Sequence, residues 1–72
     1  MSADVRIRFA KRLRELRIRK GLSVPELAKR SGISRQHIRD LEMPYPQKRV
    51  TIVTLEKLAK AFKISCSKLL DF

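Results

Sequence analysis

The chain has 72 residues and a formal net charge of +11, from 18 Lys and Arg against seven Asp and Glu; small domains usually carry about 2 to 8 net charges, so a polyanionic partner explains the excess better than solubility does. Cys66 is the single cysteine, which excludes an internal disulfide and fits a reducing compartment. No apolar run nears the roughly 18 residues of a membrane span, and MSADVRIRF lacks the parts of a secretory signal, so the expectation is one small, soluble, cytoplasmic domain over residues 1–72.

Glycine and proline punctuate the chain cleanly. Asp4 is placed to cap a first helix running to about Lys20, with Gly21 at the stop. Phe9, Ala10, Leu13, Leu16 and Arg17 recur at three- and four-residue steps and share one face. Arg6, Arg8, Lys11, Arg12, Arg14 and Arg19 lie mostly around the rest of it. Ser23 opens a second helix and pairs with Glu26 at capping-box spacing, with Pro25 in the first turn, where a missing N–H does no harm. Gly32 stops that helix. Ser34 caps a third, which runs to about Leu41 or Glu42. Two prolines make MPYPQKR, from Met43 to Arg49, a loop with a basic end. Thr51 caps a fourth helix with Leu55, Leu58, Ala59 and Phe62 as its stripe. VTIV is the one strand-like stretch, and the LEKLAKAF after it favours helix. Ser65 caps a short fifth helix ending in Leu69, Leu70 and Phe72. The pattern predicts an all-α fold, five helices around one core.

The stretch SVPELAKRSGISRQHIRDLE, Ser23 to Glu42, carries the functional signal. A steep crossing of two helices joined by a short turn needs a residue tolerant of positive φ, which Gly32 supplies. It also needs a small side chain at the contact, which is Ala28. Ile38 and Leu41 are spaced to press back into the crossing, with Leu27 and Ile33 closing the seam. Arg35, Gln36, Arg39 and Asp40 are left pointing outward, on a helix of a width that fits the major groove.

These residues resemble the helix-turn-helix of the lambdoid Cro and repressor-like (XRE-type) family. Ala28, then Gly32 four residues on, then Ile38 six after that, match its pattern. FAKRLRELRIRKGLS resembles its first helix, and VTIVTLEKLAKAFKISCSKLL its fourth and fifth. The resemblance implies the compact five-helix, lambda-repressor-like fold and a sequence-specific regulator of transcription, most simply a repressor that occupies a palindromic operator in double-stranded DNA as a homodimer. A place on the nucleoid goes with that. It also implies that Arg35, Gln36, Arg39 and Asp40 are the base-reading residues. Arg suits guanine and Gln suits adenine, while Asp40 either accepts from cytosine or orients Arg39 or Arg35. Relatives often carry a glutamine on phosphate where this chain has Val24. Ser23, Ser34 and backbone N–H groups at helix starts are substitutes, His37 faces phosphate or solvent, and Gln47, Lys48 and Arg49 are the loop's phosphate candidates. Arg17 is an odd charge on an apolar face, and in similar proteins it pairs with the glutamate closing the third helix, here Glu42.

The other readings are weaker. His37 has no second histidine or nearby cysteine, Cys66 reads as packing, and the serines read as caps. No metal, cofactor or enzymatic activity is therefore expected. RIRFAKRLRELRIRK as a membrane-surface helix leaves the later helices unexplained. An antitoxin with a toxin partner, or a restriction–modification controller, shares this kind of domain and stays open. Tyr45 covers the core, contacts DNA or meets a second subunit. Leu69, Leu70 and Phe72, with Ile52 and Val53, are core or dimer contacts.

Overall fold

The computed structural model describes residues 4–43 and 50–72. They form α1 (Val5–Arg19), α2 (Val24–Ser31), α3 (Arg35–Glu42), α4 (Ile52–Phe62) and α5 (Cys66–Leu69). No strand occurs among the described residues, and VTIV runs directly into α4. No described helix is long and apolar enough to cross a membrane.

Each helix starts where a side chain satisfies an amide that the helix leaves unpaired. Asp4 Oδ1 accepts from the Arg6 N–H at 2.8 Å. Ser34, Thr51 and Ser65 accept through their hydroxyl oxygens from the N–H groups of His37, Thr54 and Lys68, each at 3.1 Å. Ser23 and Glu26 form a full capping box, with the Glu26 N–H donating to Ser23 Oγ at 3.2 Å and the Ser23 N–H to Glu26 Oε1 at 3.0 Å. That backbone N–H holds the Glu26 carboxyl below its ordinary pKa. The stops are less uniform. Gly21 and Gly32 take φ of +69° and +76°. α4 instead ends on Lys63 at φ +58°, a left-handed position held by a residue with a side chain.

One hydrophobic cluster joins Phe9, Leu13 and Leu16 of α1, Leu27 of α2, Ile38 and Leu41 of α3, Leu58 and Phe62 of α4 and Leu69 of α5. Fully burying a side chain of this size contributes about 1.5–3 kcal/mol, and every helix supplies at least one. α3 packs on α1 and α2, α2 also on α4, and α4 on α5. Among the sequence expectations left open, Leu69 is core, whereas Leu70, Phe72, Ile52 and Val53 are exposed. Cys66, expected to pack, is also exposed. It follows the Ser65 cap on a helix of one turn, and so short a helix leaves no periodicity from which to read a buried face.

Two arginines of α1 reach the far end of the chain. Arg12 donates to the Lys68 carbonyl at 2.9 Å and the Leu69 carbonyl at 3.4 Å. Arg8 donates to the Phe72 carbonyl at 2.9 Å and lies 5.1 Å from the centre of its ring. Carbonyls at a helix end lack intrahelical donors, so Arg12 ties the end of α5 to α1, and Arg8 ties Phe72, beyond that helix, to α1 as well.

Candidate nucleic-acid interface

The corner between α2 and α3 is set by Gly32. Its N–H donates to the Ala28 carbonyl at 2.9 Å, and the left-handed φ then turns the chain out of α2. An added Cβ at Gly32 would meet nothing within 4 Å, so glycine is required there for its backbone angle and not for space. Ser31 is buried, and its Oγ accepts from the Ile33 N–H at 3.2 Å, bracing the turn. Ile33 then enters the core, and Ser34 starts the next helix.

Ile38 and Leu41, at 0% and 1% exposure, fix which side of α3 faces inward. At about 100° per residue, Gln36 falls almost opposite that direction. Arg39 and Asp40 lie to either side of Gln36, and Arg35 lies on a flank. Arg35, Gln36 and Arg39 are exposed, and Asp40 and His37 are half-buried. Gln36 Nε2 donates to Asp40 Oδ1 at 3.0 Å. The sequence offers Asp40 either a cytosine or a neighbouring Arg39 or Arg35, and the structure gives it the Gln36 amide. Arg35 lines an open cleft between the amino ends of α2 and α3 together with Pro25, Glu26, Ala28, Lys29 and Ser34. Ala28 packs half-buried against the core, and Val24 also turns to the core.

The end of α3 is tied to α1. Arg17 Nε and Nη2 donate to the two Glu42 carboxylate oxygens at 2.8 and 3.0 Å, a bidentate pair. Arg17 Nη1 also donates to the Leu22 carbonyl at 2.9 Å. The side chains are only 15% and 9% exposed, so the bond is shielded from water. The hydrogen bonds that Arg17 donates to Glu42 raise the Arg17 pKa further above its already high ordinary value. One guanidinium thereby links α1, the approach to α2 and the last turn of α3.

The sequence profile of the helix-turn-helix family matches residues 13–69. The chain belongs to that family. It is a DNA-binding transcription regulator of the XRE, lambda-repressor-like type, and its five-helix fold is that of the family. Its structure is similar to that of the restriction-modification controller protein C.AhdI from Aeromonas hydrophila, with a TM-score of 0.82 and 41% identity over 89% of this chain and 94% of that one. No curated protein sequence matches the chain significantly.

Within this helix-turn-helix domain, α2 and α3 bring Ser23, Ser34, Arg35, Gln36, His37, Arg39 and Asp40 to the surface of one unit. Both cap hydroxyls use an oxygen lone pair on their helix and keep an O–H to donate. Gln47, Lys48, Arg49 and Tyr45 lie outside the described residues. The sequence reading passed over Lys29. It is exposed and lines the cleft beside Arg35; its position next to Ala28, on the side of α2 away from Leu27, was the available signal.

Proposed function

We propose that this single domain represses transcription by occupying a palindromic operator as a homodimer, with α3 of each subunit in the major groove. Arg35, Gln36, Arg39 and Asp40 face the base edges. Ser23, Ser34, His37 and Lys29 face phosphates, and Gln47, Lys48 and Arg49 add phosphate contacts. The observation that carries this reading is the division of α3: its two apolar residues are sealed in the core, its opposite side is polar, and its last turn is tied to α1 by Arg17 and Glu42. A rigid helix presenting Arg and Gln matches the donor and acceptor pattern of the major groove.

Self-association supplies the second half-site. Val5, Leu70 and Phe72 are exposed around a shallow apolar cleft with Phe9, Val50 and Leu55. Ile52 and Val53 are exposed at the start of α4. Clustered exposed apolar side chains favour a surface that a second copy covers, and repulsion between the charged faces of a chain of +11 leaves this face as the one where two copies can meet. The similarity to a controller protein favours control of a restriction–modification operon as the setting.

Selection of bound duplexes from a random pool, with sedimentation of the free and bound protein, tests the proposal. The expected result is an inverted repeat with half-sites one helical turn apart, about 34 Å, bound by two copies. An asymmetric site bound by one copy would overturn the dimer. Enrichment of no site would overturn sequence reading.

A further inference from the structure

We infer that Asp40 sets the specificity of Gln36: its carboxylate fixes which way the glutamine amide faces, and so biases the base pair read by Gln36 toward adenine and against guanine. The inference rests on α3 being the base-reading helix.

An ionised carboxylate accepts hydrogen bonds and donates none, so the atom that Gln36 turns to Asp40 must be its Nε2. The separation is 3.0 Å, at the i,i+4 spacing where helix side chains meet. One of the two amide hydrogens is thereby used. What remains is one N–H beside the carbonyl Oε1. That pair matches the major-groove edge of adenine, where N7 accepts and the N6 amino group donates. Guanine presents two acceptors there, N7 and O6, and asks for two donors. A glutamine free to rotate can offer both of its hydrogens. One held by Asp40 has a single hydrogen left, and its carbonyl would face an acceptor.

Position strengthens the inference. Gln36 lies almost directly opposite the buried side of α3, in its first turn, and Asp40 lies beside it one turn further on. The Gln36–Asp40 bond is exposed, on the surface that DNA would cover. The chain has only seven acidic residues, and this one stands on the face turned to a polyanion. There it costs affinity through repulsion of phosphate, and a gain in discrimination offsets that cost. Asp40 is in this sense a positioning residue, acting through the amide that touches the base.

The test is selection from random duplexes with the natural chain, Asp40→Ala, Gln36→Ala and the double variant. Asp40→Asn serves as an isosteric control whose amide no longer dictates the orientation. At one base-pair position the adenine-to-guanine ratio is expected to fall about fivefold or more in Asp40→Ala and in Asp40→Asn. Melting temperature should hold, and binding to random duplex should rise, because a charge that repels phosphate is gone. Gln36→Ala should lose the same preference, and adding Asp40→Ala to it should change nothing further. An unchanged ratio in both Asp40 variants, with Gln36→Ala still effective, overturns the inference alone. A ratio change that Asp40→Ala produces equally in the Gln36→Ala background overturns it too, by assigning the effect to another group. If Gln36→Ala leaves every position's preference intact, the base-reading role of Gln36 falls as well, which separates the two failures.

Discussion

α3 and α4 begin alike and present opposite chemistry. Each starts on a hydroxyl cap in extended backbone, Ser34 and Thr51, accepting from the third residue on at 3.1 Å. Behind the first cap come Arg35 and Gln36, both exposed; behind the second come Ile52 and Val53, 82% and 61% exposed. The cap builds a platform that is indifferent to what stands on it. The side chains of the first turn then decide whether it meets a polyanion or another apolar surface. The supports differ as well. α3 is tied at its far end by the bidentate Arg17–Glu42 pair, and α4 ends on the left-handed Lys63.

The predictions below probe that contrast. The largest effect belongs to the support of α3: Glu42→Ala leaves the Arg17 charge shielded and unpaired, and should lower unfolding free energy by about 3–5 kcal/mol in denaturant melts. A melt that does not move would remove the pair from the account. On the platform itself, Arg35→Ala should cost about 1–3 kcal/mol of affinity for the selected site and relax preference at one base pair. Equal loss on random duplex, measured by fluorescence anisotropy, would reassign Arg35 to phosphate. Across the comparison, Ile52→Asp should leave the melting temperature in place and weaken self-association by at least about 1 kcal/mol in sedimentation equilibrium. Unchanged association would take Ile52 out of the proposed contact.

The helix stops separate more finely. Gly32→Ala meets no steric obstacle and should still cost about 1–2 kcal/mol through its φ alone, whereas Lys63→Gly should stabilise by about 0.5–1 kcal/mol. Thermal melts of the two variants moving in the same direction would contradict the backbone argument. The smallest expected effect is on acid stability. The Glu26 carboxyl has a folded pKa below its ordinary value of 4.5, so its contribution is complete above that value and lost as pH falls through the lower folded value. Glu26→Gln should therefore flatten the fall of melting temperature in that window, and a parallel curve would assign the acid sensitivity elsewhere.

Much of this was legible beforehand because caps and stops are local signals. Asp4, Ser23 with Glu26, Ser34, Thr51 and Ser65 each announce a helix within three or four residues of sequence, and Gly21 and Gly32 announce two ends. The spacing of Ala28, Gly32 and Ile38 then specified the corner. What stayed hidden was of two kinds. Lys63 adopts a backbone angle that lysine does not advertise, so the stop of α4 had no sequence mark. The bonds from Arg8 and Arg12 to carbonyls 56 to 64 residues away are products of the tertiary fold, and in the sequence those arginines look like any others on a basic helix. For Asp40 the sequence offered a cytosine or an arginine neighbour, and its hydrogen bond with Gln36 needed coordinates.

The account turns on α3 lying in the major groove with its polar side against base edges. Dimethyl sulfate probing of the selected duplex reads this directly, because guanine N7 lies in the major groove and adenine N3 in the minor. The predicted result is protection of guanine N7 in two patches one helical turn apart, lost in Arg35→Ala. Protection confined to adenine N3, or none at either atom under saturating protein, would contradict it.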